Sequence, residues 1–366
     1  MGASYKLLLD GAEIDADLHA AIGSVEVEEN VELPGAIQLT LPVAAQGDDL
    51  SHTADPALQP HAHLAVVVNA DGKPSECIFD GYVLSHKLHL EKGATDSSLT
   101  VWGQDASWIM NLEEKVHEWA DMTDAAVAGA IFDQYGITAA PENTTDDSPA
   151  HVSSGHTLMQ RGSDIQFLRR LARRSGKVCR VAAAQEPGKL VGYFVKPNLE
   201  GEPVLTLSIH GEEPTMVTSL DIEWDVARPT AVTGQQATFS APDPILADAT
   251  DSGLPPLEAR DLATFAGKPM KVLLSSTADD AGELLLRARA VLRDSGFFVR
   301  CSGEADGARL NAVIRAGTVV KIDGAGSLHS GKYYVWSVRH TLKPDSHKMS
   351  FVLVRNAVGA PAGGTS

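Results

Sequence analysis

A chain of 366 residues with 43% apolar side chains has enough length for two or three domains with real cores, and it is too apolar for a disordered polymer. The formal charge of −18 is uneven: residues 1–105 hold 17 Asp and Glu against 4 Lys and no Arg, which works against a first domain that grips phosphates. No run approaches eighteen consecutive apolar residues and Met1 to Asp10 lacks a signal-peptide core, so neither a membrane-crossing helix nor secretion is expected, and synthesis in the cytoplasm is the simplest reading.

The first hundred residues read as strands. Tyr5 to Leu9, Ser24 to Val31, Ile37 to Leu41, Leu64 to Val68, Ile78 to Leu84 and Ser98 to Trp102 are rich in β-branched and apolar residues. Asp-Gly, Pro-Gly and Gly-Asp turn signals separate them, which predicts a barrel or sandwich.

Helical signals follow. Thr123 can cap a helix with Val127, Ile131 and Tyr135 on one face and Gly136 at its end. Residues 141–156 read as a loop. A second helix starts at the capping box Ser163-Asp-Ile-Gln166 and stops at Gly176; Ile165, Leu168, Leu171 and Ala172 face inward, while Arg169, Arg170, Arg173 and Arg174 are expected to project outward. Arg161 is the first arginine of the chain, and residues 161–180 carry a local +6. Such a face is either solvated or an interface where arginine forks meet carboxylates of a neighbouring subunit. An acidic domain and a basic helix in one chain suit a head-to-tail ring. Strands at Val178 to Ala182 and Leu190 to Val195 complete a mixed unit.

Strands resume at Val204 to Ile209, Val217 to Trp224 and Ala231 to Ser240. A Pro/Asp/Ala-rich excursion over 241–268 precedes a helix from Thr277 to about Arg293, with Asp279 and Asp280 in its first turn. From Arg315 to Asn356 three antiparallel strands are expected to close a small barrel. The fold predicted is α+β, mainly β: two antiparallel β-barrels flanking an α/β middle domain, with a further insertion in the second barrel. The expected boundaries are 1–105 for the first barrel, 106–203 for the middle domain and 204–240 with 308–356 for the second barrel. An insertion with one helix takes 241–307, and 357–366 form a flexible tail.

Enzyme constellations are weak. His61-Ala-His63 could turn both imidazoles to one side of a strand, but no third metal ligand stands at a familiar spacing. His86 and His89 face opposite sides of theirs. Gly324-Ala-Gly326 lacks the lysine and helix of a phosphate cradle. No Gly-x-Ser-x-Gly or His-Glu-x-x-His occurs. Cys77, Cys179 and Cys301 are far apart and read as free, apolar side chains.

Four stretches, in order, carry a resemblance. They are Ile78-Phe79-Asp80-Gly81-Tyr82-Val83; Ser98 to Trp102 with Asp105 to Trp108 and Leu112; Gln160 to Gly176; and Gly317 to Gly324 with Gly331 to His340 and Phe351 to Asn356. Together the chain resembles the baseplate hub proteins of contractile phage tails and injection systems, a family that includes late-control D proteins and the hub portion of VgrG spikes. The first 77 residues match in strand pattern alone.

The resemblance implies tube-like barrels, in which Phe79, Gly81, Val83, Gly324, Gly331, Tyr333 and His340 are signature positions. It implies a non-enzymatic homotrimer without cofactor or metal, whose six barrels form a pseudo-sixfold ring between a sixfold tail tube and a threefold spike. The implied partners are further copies of the chain, a tube or tube-initiator protein, a spike protein and other baseplate proteins, with no stable nucleic-acid or membrane binding. The expected location is the assembled virion or injection particle. Because no oligosaccharide-binding-fold domain or needle follows the last strand, the spike is expected to be a separate polypeptide. Two readings of other classes remain: a spike-associated cell-wall hydrolase, and a β-rich glycan-binding module, the latter disfavoured by only 5% aromatic residues.

Overall fold

The computed structural model describes residues 4–92, 97–145, 147–151, 157–210, 216–237, 243–278 and 280–359. The chain is mainly β. In the first lobe β1 (Ser4–Leu9) and its short arm β2 (Ala12–Glu13) precede helix α1 (Ala16–Ala21), β3 (Ser24–Asn30) and β4 (Ala36–Pro42). A small ribbon of β5 (Ala45–Gln46) and β6 (Asp49–Leu50) leads on to β7 (His63–Asn69), β8 (Glu76–His89) and β9 (Ser98–Asp105). The two-residue period of the sequence does the sorting: Val25 and Val27, then Ile37, Leu39 and Leu41, then Leu99 and Val101 all face one core.

The middle unit holds a ribbon of β10 (Glu114–Trp119) and β11 (Leu158–Ser163), helices α2 (Asp124–Gln134) and α3 (Asp164–Arg174), and a hairpin of β12 (Val178–Ala183) and β13 (Leu190–Val195). Its own core gathers Val127, Ile131 and Phe132 of α2 with Ile165, Leu168 and Leu171 of α3 and Phe194 of β13. Thr123 caps α2 as expected, accepting a hydrogen bond from the Ala126 amide at 3.2 Å.

The second lobe begins with β14 (Thr206–Ser208) and β15 (Val217–Trp224). An excursion follows: β16 (Ala231–Gln236), β17 (Ile245–Ala249), β18 (Arg260–Asp261), α4 (Leu262–Ala266), β19 (Lys271–Leu274) and α5 (Ala281–Gly296). The lobe closes with β20 (Val299–Asp306), α6 (Gly307–Leu310), β21 (Val319–Asp323), α7 (Gly326–His329), β22 (Gly331–Lys343), β23 (Ser346–Arg355) and β24 (Ala357–Val358). The expected antiparallel strands between Arg315 and Asn356 are β21, β22 and β23.

Both lobes share one 13-stranded sheet. Its path runs β15-β20-β23-β22-β3-β4-β9-β8-β7-β1-β2, with β21 beside β22 and β14 parallel to β21. Three expected domain assignments need correction. The strand of residues 231–236 was expected in the second barrel, but β16 pairs with β17 and β19 in a separate three-stranded sheet backed by α5, because Val232 and Gly234 meet Leu284 and Ala288. Residues 299–306 were expected in the insertion; β20 instead lies between β15 and β23, with Val299, Cys301 and Ala305 in the second core. Residues 357–358 were expected in a flexible tail, yet Ala357 and Val358 are fully buried and pair with β18. The rest of that tail, from 360, lies outside the described residues, as do 241–242 of the excursion, 146 and 152–156 of the loop, and Asp279. Helix α5 starts at Ala281 rather than Thr277, capped by the Asp280 carboxylate on the Glu283 amide at 2.8 Å.

Gly81 marks where β8 crosses from β7 to β9. A Cβ there would stand 2.1 Å from the Gln104 carbonyl oxygen, a backbone atom that cannot swing aside. Gly81→Ala is expected to cost about 2–3 kcal/mol. Gly47→Ala, at a left-handed φ of +64° in open space, should cost about 1 kcal/mol or less. Urea denaturation of the two variants checks the order.

Candidate assembly surfaces

The two lobes meet where β3 pairs antiparallel with β22, from Val25 opposite Leu342 to Asn30 opposite Ser337. Charge is concentrated along this joint. Arg339 of β22 donates to Glu28 of β3 at 2.7 Å. One step along, Glu29 turns into the protein and is only 8% exposed. Its carboxylate accepts from Arg315 Nε at 2.6 Å and from the Ala316 amide at 3.3 Å, and Arg315 also reaches Glu76 of β8 at 3.4 Å. Burial alone would raise the Glu29 carboxyl; Arg315 and, more weakly, His340 overcome that and hold it at about 2. Arg180 of β12 stacks on the Tyr193 ring at 4.4 Å and donates to the Ala316 carbonyl at 3.0 Å, so the middle unit is fastened to the same turn.

Removing Glu29 would leave Arg315 as a buried cation with only Glu76 for company. Glu29→Ala should therefore cost about 3–5 kcal/mol in denaturant titration, while exchanging both Glu29 and Arg315 for methionine should cost much less. The sign of the pH effect follows from the depressed carboxyl: the stability Glu29 supplies is present above its unfolded pKa of about 4.5 and is lost as pH falls towards 2.

Helix α3 is as amphipathic as the sequence implied, but its capping box is not used. Ser163 stands at the N-cap without accepting an amide; its hydroxyl donates to Asn111 Oδ1 at 2.5 Å, and Gln166 donates to the same oxygen at 3.1 Å. The first-turn Asp164 is buried under Lys115, Tyr135 and Gln160, which donate to it at 2.7, 2.6 and 2.6 Å. These donors outweigh its desolvation and lower its pKa.

The four outer arginines do not form one free face. Arg174 is committed to buried Asp124 at 3.0 Å, where His151 also approaches at 2.8 Å, and it lies 3.9 Å from Glu283 of α5. Arg169 is half-buried and reaches the Ser107 hydroxyl at 3.5 Å. Arg170 bonds the Arg161 carbonyl. Arg173 is exposed and lines a cleft of about 520 Å³ between α3, α5 and Trp336. Sequence periodicity places residues on a helix face but cannot say which long side chains bend back to carboxylates 50 residues away. Arg174→Ala should therefore destabilise by about 2–4 kcal/mol through the stranded Asp124, whereas Arg173→Ala should stay within about 0.5 kcal/mol, as thermal melting can decide.

The sheet leaves open edges. Among the described residues β15 pairs only with β20, and its Trp224 is 50% exposed. Among the described residues the far half of β8 pairs only with β9, since the β7 ladder stops at Tyr82, and it carries Leu88 and, just beyond, Leu90 into solvent at 38% and 59% exposure. Uncovered edges that carry apolar side chains invite further strands. No feature of the sequence marked β15 as terminal or the far half of β8 as uncovered, because edge position depends on the pairing order.

The signature positions serve packing. Phe79 and Val83 lie in the first core. Gly324, at φ +83°, leaves no room for a Cβ against the His210 backbone oxygen 2.1 Å away. Gly331, at φ +125°, lies under the Glu258 carboxylate, a side-chain group that can move where the His210 backbone cannot, and Tyr333 is fully buried beneath Arg355, whose guanidinium lies 4.7 Å from the ring centre. Buried Arg355 in turn donates to the Leu328, His329 and Ser330 carbonyls at the end of α7. His340 is buried at the joint.

The candidate metal pair separates: the His61 ring packs on Trp108, while His63 bonds buried Asp80 at 2.6 Å. Among the described residues no group of three or more His, Cys, Asp or Glu side chains could hold a metal ion. The three cysteines are free and buried, and burial pushes each thiol up to about 12. No helix among the described residues is long and apolar enough to cross a membrane.

This architecture is that of phage tail proteins. The tail protein of Neisseria meningitidis MC58 superposes over 97% of both chains with a TM-score of 0.67 at 16% identity. The 43 kDa tail protein of prophage MuSo2 from Shewanella oneidensis covers 96% of this chain and 98% of its own, with a TM-score of 0.66 at 15% identity. An E. coli component of the type VI secretion system, described as similar to tail proteins of bacteriophage T4, matches 97% of this chain and 79% of its own at 0.56 and 12% identity. At such identities the likeness establishes the fold. In sequence, residues 2–344 match the family model described as the Alg8 N-terminal domain, and the chain belongs to that family. No curated protein matches it.

Proposed function

We propose that the chain is a structural, non-enzymatic baseplate hub of a contractile phage tail or injection system, joining a sixfold tail tube to a threefold central spike. The observation that carries this reading is the fold shared end to end with tail proteins, together with its construction as two β lobes fused edge to edge through β3 and β22. A chain built this way contributes two ring segments per copy, so three copies supply six.

The open edges support the same reading. β15 of one copy, with Trp224, faces outward at one end of the ladder, and the first lobe offers the half of β8 beyond the β7 ladder, with Leu88, as a second uncovered stretch. Joining unlike edges is a heterologous contact that closes into a ring when the rotation is right. The acidic first lobe suits a lumen to which polyanions do not stick. Of the arginines, exposed Arg173 and Arg170 are the ones available to a neighbour without unfolding the middle unit. The partners on this reading are two further copies, a tube or tube-initiator protein above, a spike protein below and other baseplate proteins around, all after synthesis in the cytoplasm.

Light scattering of the purified chain at low salt and at 0.5 M salt tests the assembly. A mass of three chains is expected, weakened by salt in proportion to its charged contacts. Trp224→Lys and Leu88→Lys should yield monomers with unchanged melting temperature. A monomer under every condition, for the unsubstituted chain, would contradict self-assembly as the source of the ring.

A further inference from the structure

His340 of β22 and His347 of β23 face each other across their hairpin, with Nδ1 of one 3.0 Å from Nε2 of the other. Both are buried, at 0% and 3% exposure. A nitrogen-to-nitrogen hydrogen bond needs one protonated and one bare nitrogen, so the closed pair has no room for a proton on both facing atoms. The backbone of His340 is also part of the joint, paired with Val27 of β3.

We propose that this pair makes the joint between the two lobes acid-sensitive: uptake of a second proton breaks the His340–His347 hydrogen bond and loosens the β3–β22 ladder. The surroundings give the second charge little relief. From β3, Glu29 lies 3.8 Å from His340 Nε2, an atom with no hydrogen bond among the described residues, but that carboxylate is already shared by Arg315 and the Ala316 amide. From β20, Asp306 is the acid that acts on His347, and it is held capping α6 through the Ala308 and Arg309 amides at 2.9 and 3.2 Å. The Gly307 backbone closes the remaining side, since a Cβ there would stand 2.8 Å from His347 Nδ1. On β23 itself, Lys348 turns away to Glu304 at 3.3 Å.

Burial, followed by the neighbouring His340, pushes His347 down to about 3, with Asp306 offsetting only part of it. The sign follows. An opened joint lets His347 take a proton near pH 6.5, while the closed joint refuses it until about 3, so closure is fully favoured above pH 6.5 and weakens as pH falls below it. Glu29 contributes nothing to this window, because its own titration begins near 4.5. His63, raised by its bond to Asp80, shifts in the opposite sense but lies on β7, outside the joint.

Hydrogen exchange followed by mass spectrometry, corrected for intrinsic rates, reads the joint directly. Between pH 7.5 and 5.5 the opening equilibrium of β3 and β22 should rise about tenfold relative to α2 and α3. In His347→Gln, which keeps a carbonyl acceptor for His340 but takes no proton, that rise should vanish. If this variant does not fold at pH 7.5, His347→Asn, which likewise takes no proton, carries the same expectation. A change of less than about twofold in the unsubstituted chain, an equal rise in α2 and α3, or a rise that survives the substitution overturns the proposal.

Discussion

The ladder between β3 and β22, locked by the buried Glu29–Arg315 pair, is the constraint on which the rest of the molecule depends. Strands 300 residues apart in the chain must find each other before the two lobes become one sheet. Loop closure over such a distance is costly, and the joint answers with a dense set of directed contacts: Glu28 to Arg339, Glu29 to Arg315 and Ala316, and Arg315 onward to Glu76. A buried ion pair is a poor source of net stability beside well-packed apolar groups, but it penalises misplacement severely. Register itself follows from side-chain alternation, since sliding β22 by one residue would turn His340 and Leu342 out and draw Arg339 in.

Much of this organisation was legible in the residues. The alternation in Ser24–Asn30, Ala36–Pro42 and Ser98–Asp105 gave strands and the faces they bury, and Thr123 and Gly136 bounded α2. What the sequence did not convey was pairing across distance. Nothing local distinguishes β16, which leaves the main sheet, from β15, which ends it; both are short alternating runs. β20 sits next to a helix in sequence and so looked like part of the insertion. Ala357 and Val358 look like the start of a small-residue tail, and only the β18 edge beside them makes them core.

The candidate surfaces follow the same division. That α3 carries its arginines opposite its apolar stripe is a matter of period. That Arg174 turns to Asp124 and Arg169 to Ser107 depends on what the neighbouring units present, and it narrows the free basic surface to Arg170 and Arg173. His340 entered as one position in a strand pattern; its meeting with His347 depends on the hairpin register, which places His340 opposite Met349 and so brings the two imidazoles within reach. The buried cations Arg293 and Arg355 show the fold's general remedy for charge in the core. Both donate to backbone carbonyls, Arg293 to Ser175 and Ser252, Arg355 to the end of α7.

The proposed hub rests on one geometrical idea, that the joint inside each chain is matched by a similar joint between chains. Electron microscopy of the assembled protein viewed along its axis tests this most directly. The account predicts six density lobes with threefold symmetry around a central channel, in which within-chain β3–β22 contacts alternate with contacts between β15 and β8 of adjacent copies. An open chain of copies, a ring with another number of lobes, or lobes joined through the middle unit rather than through sheet edges would contradict it.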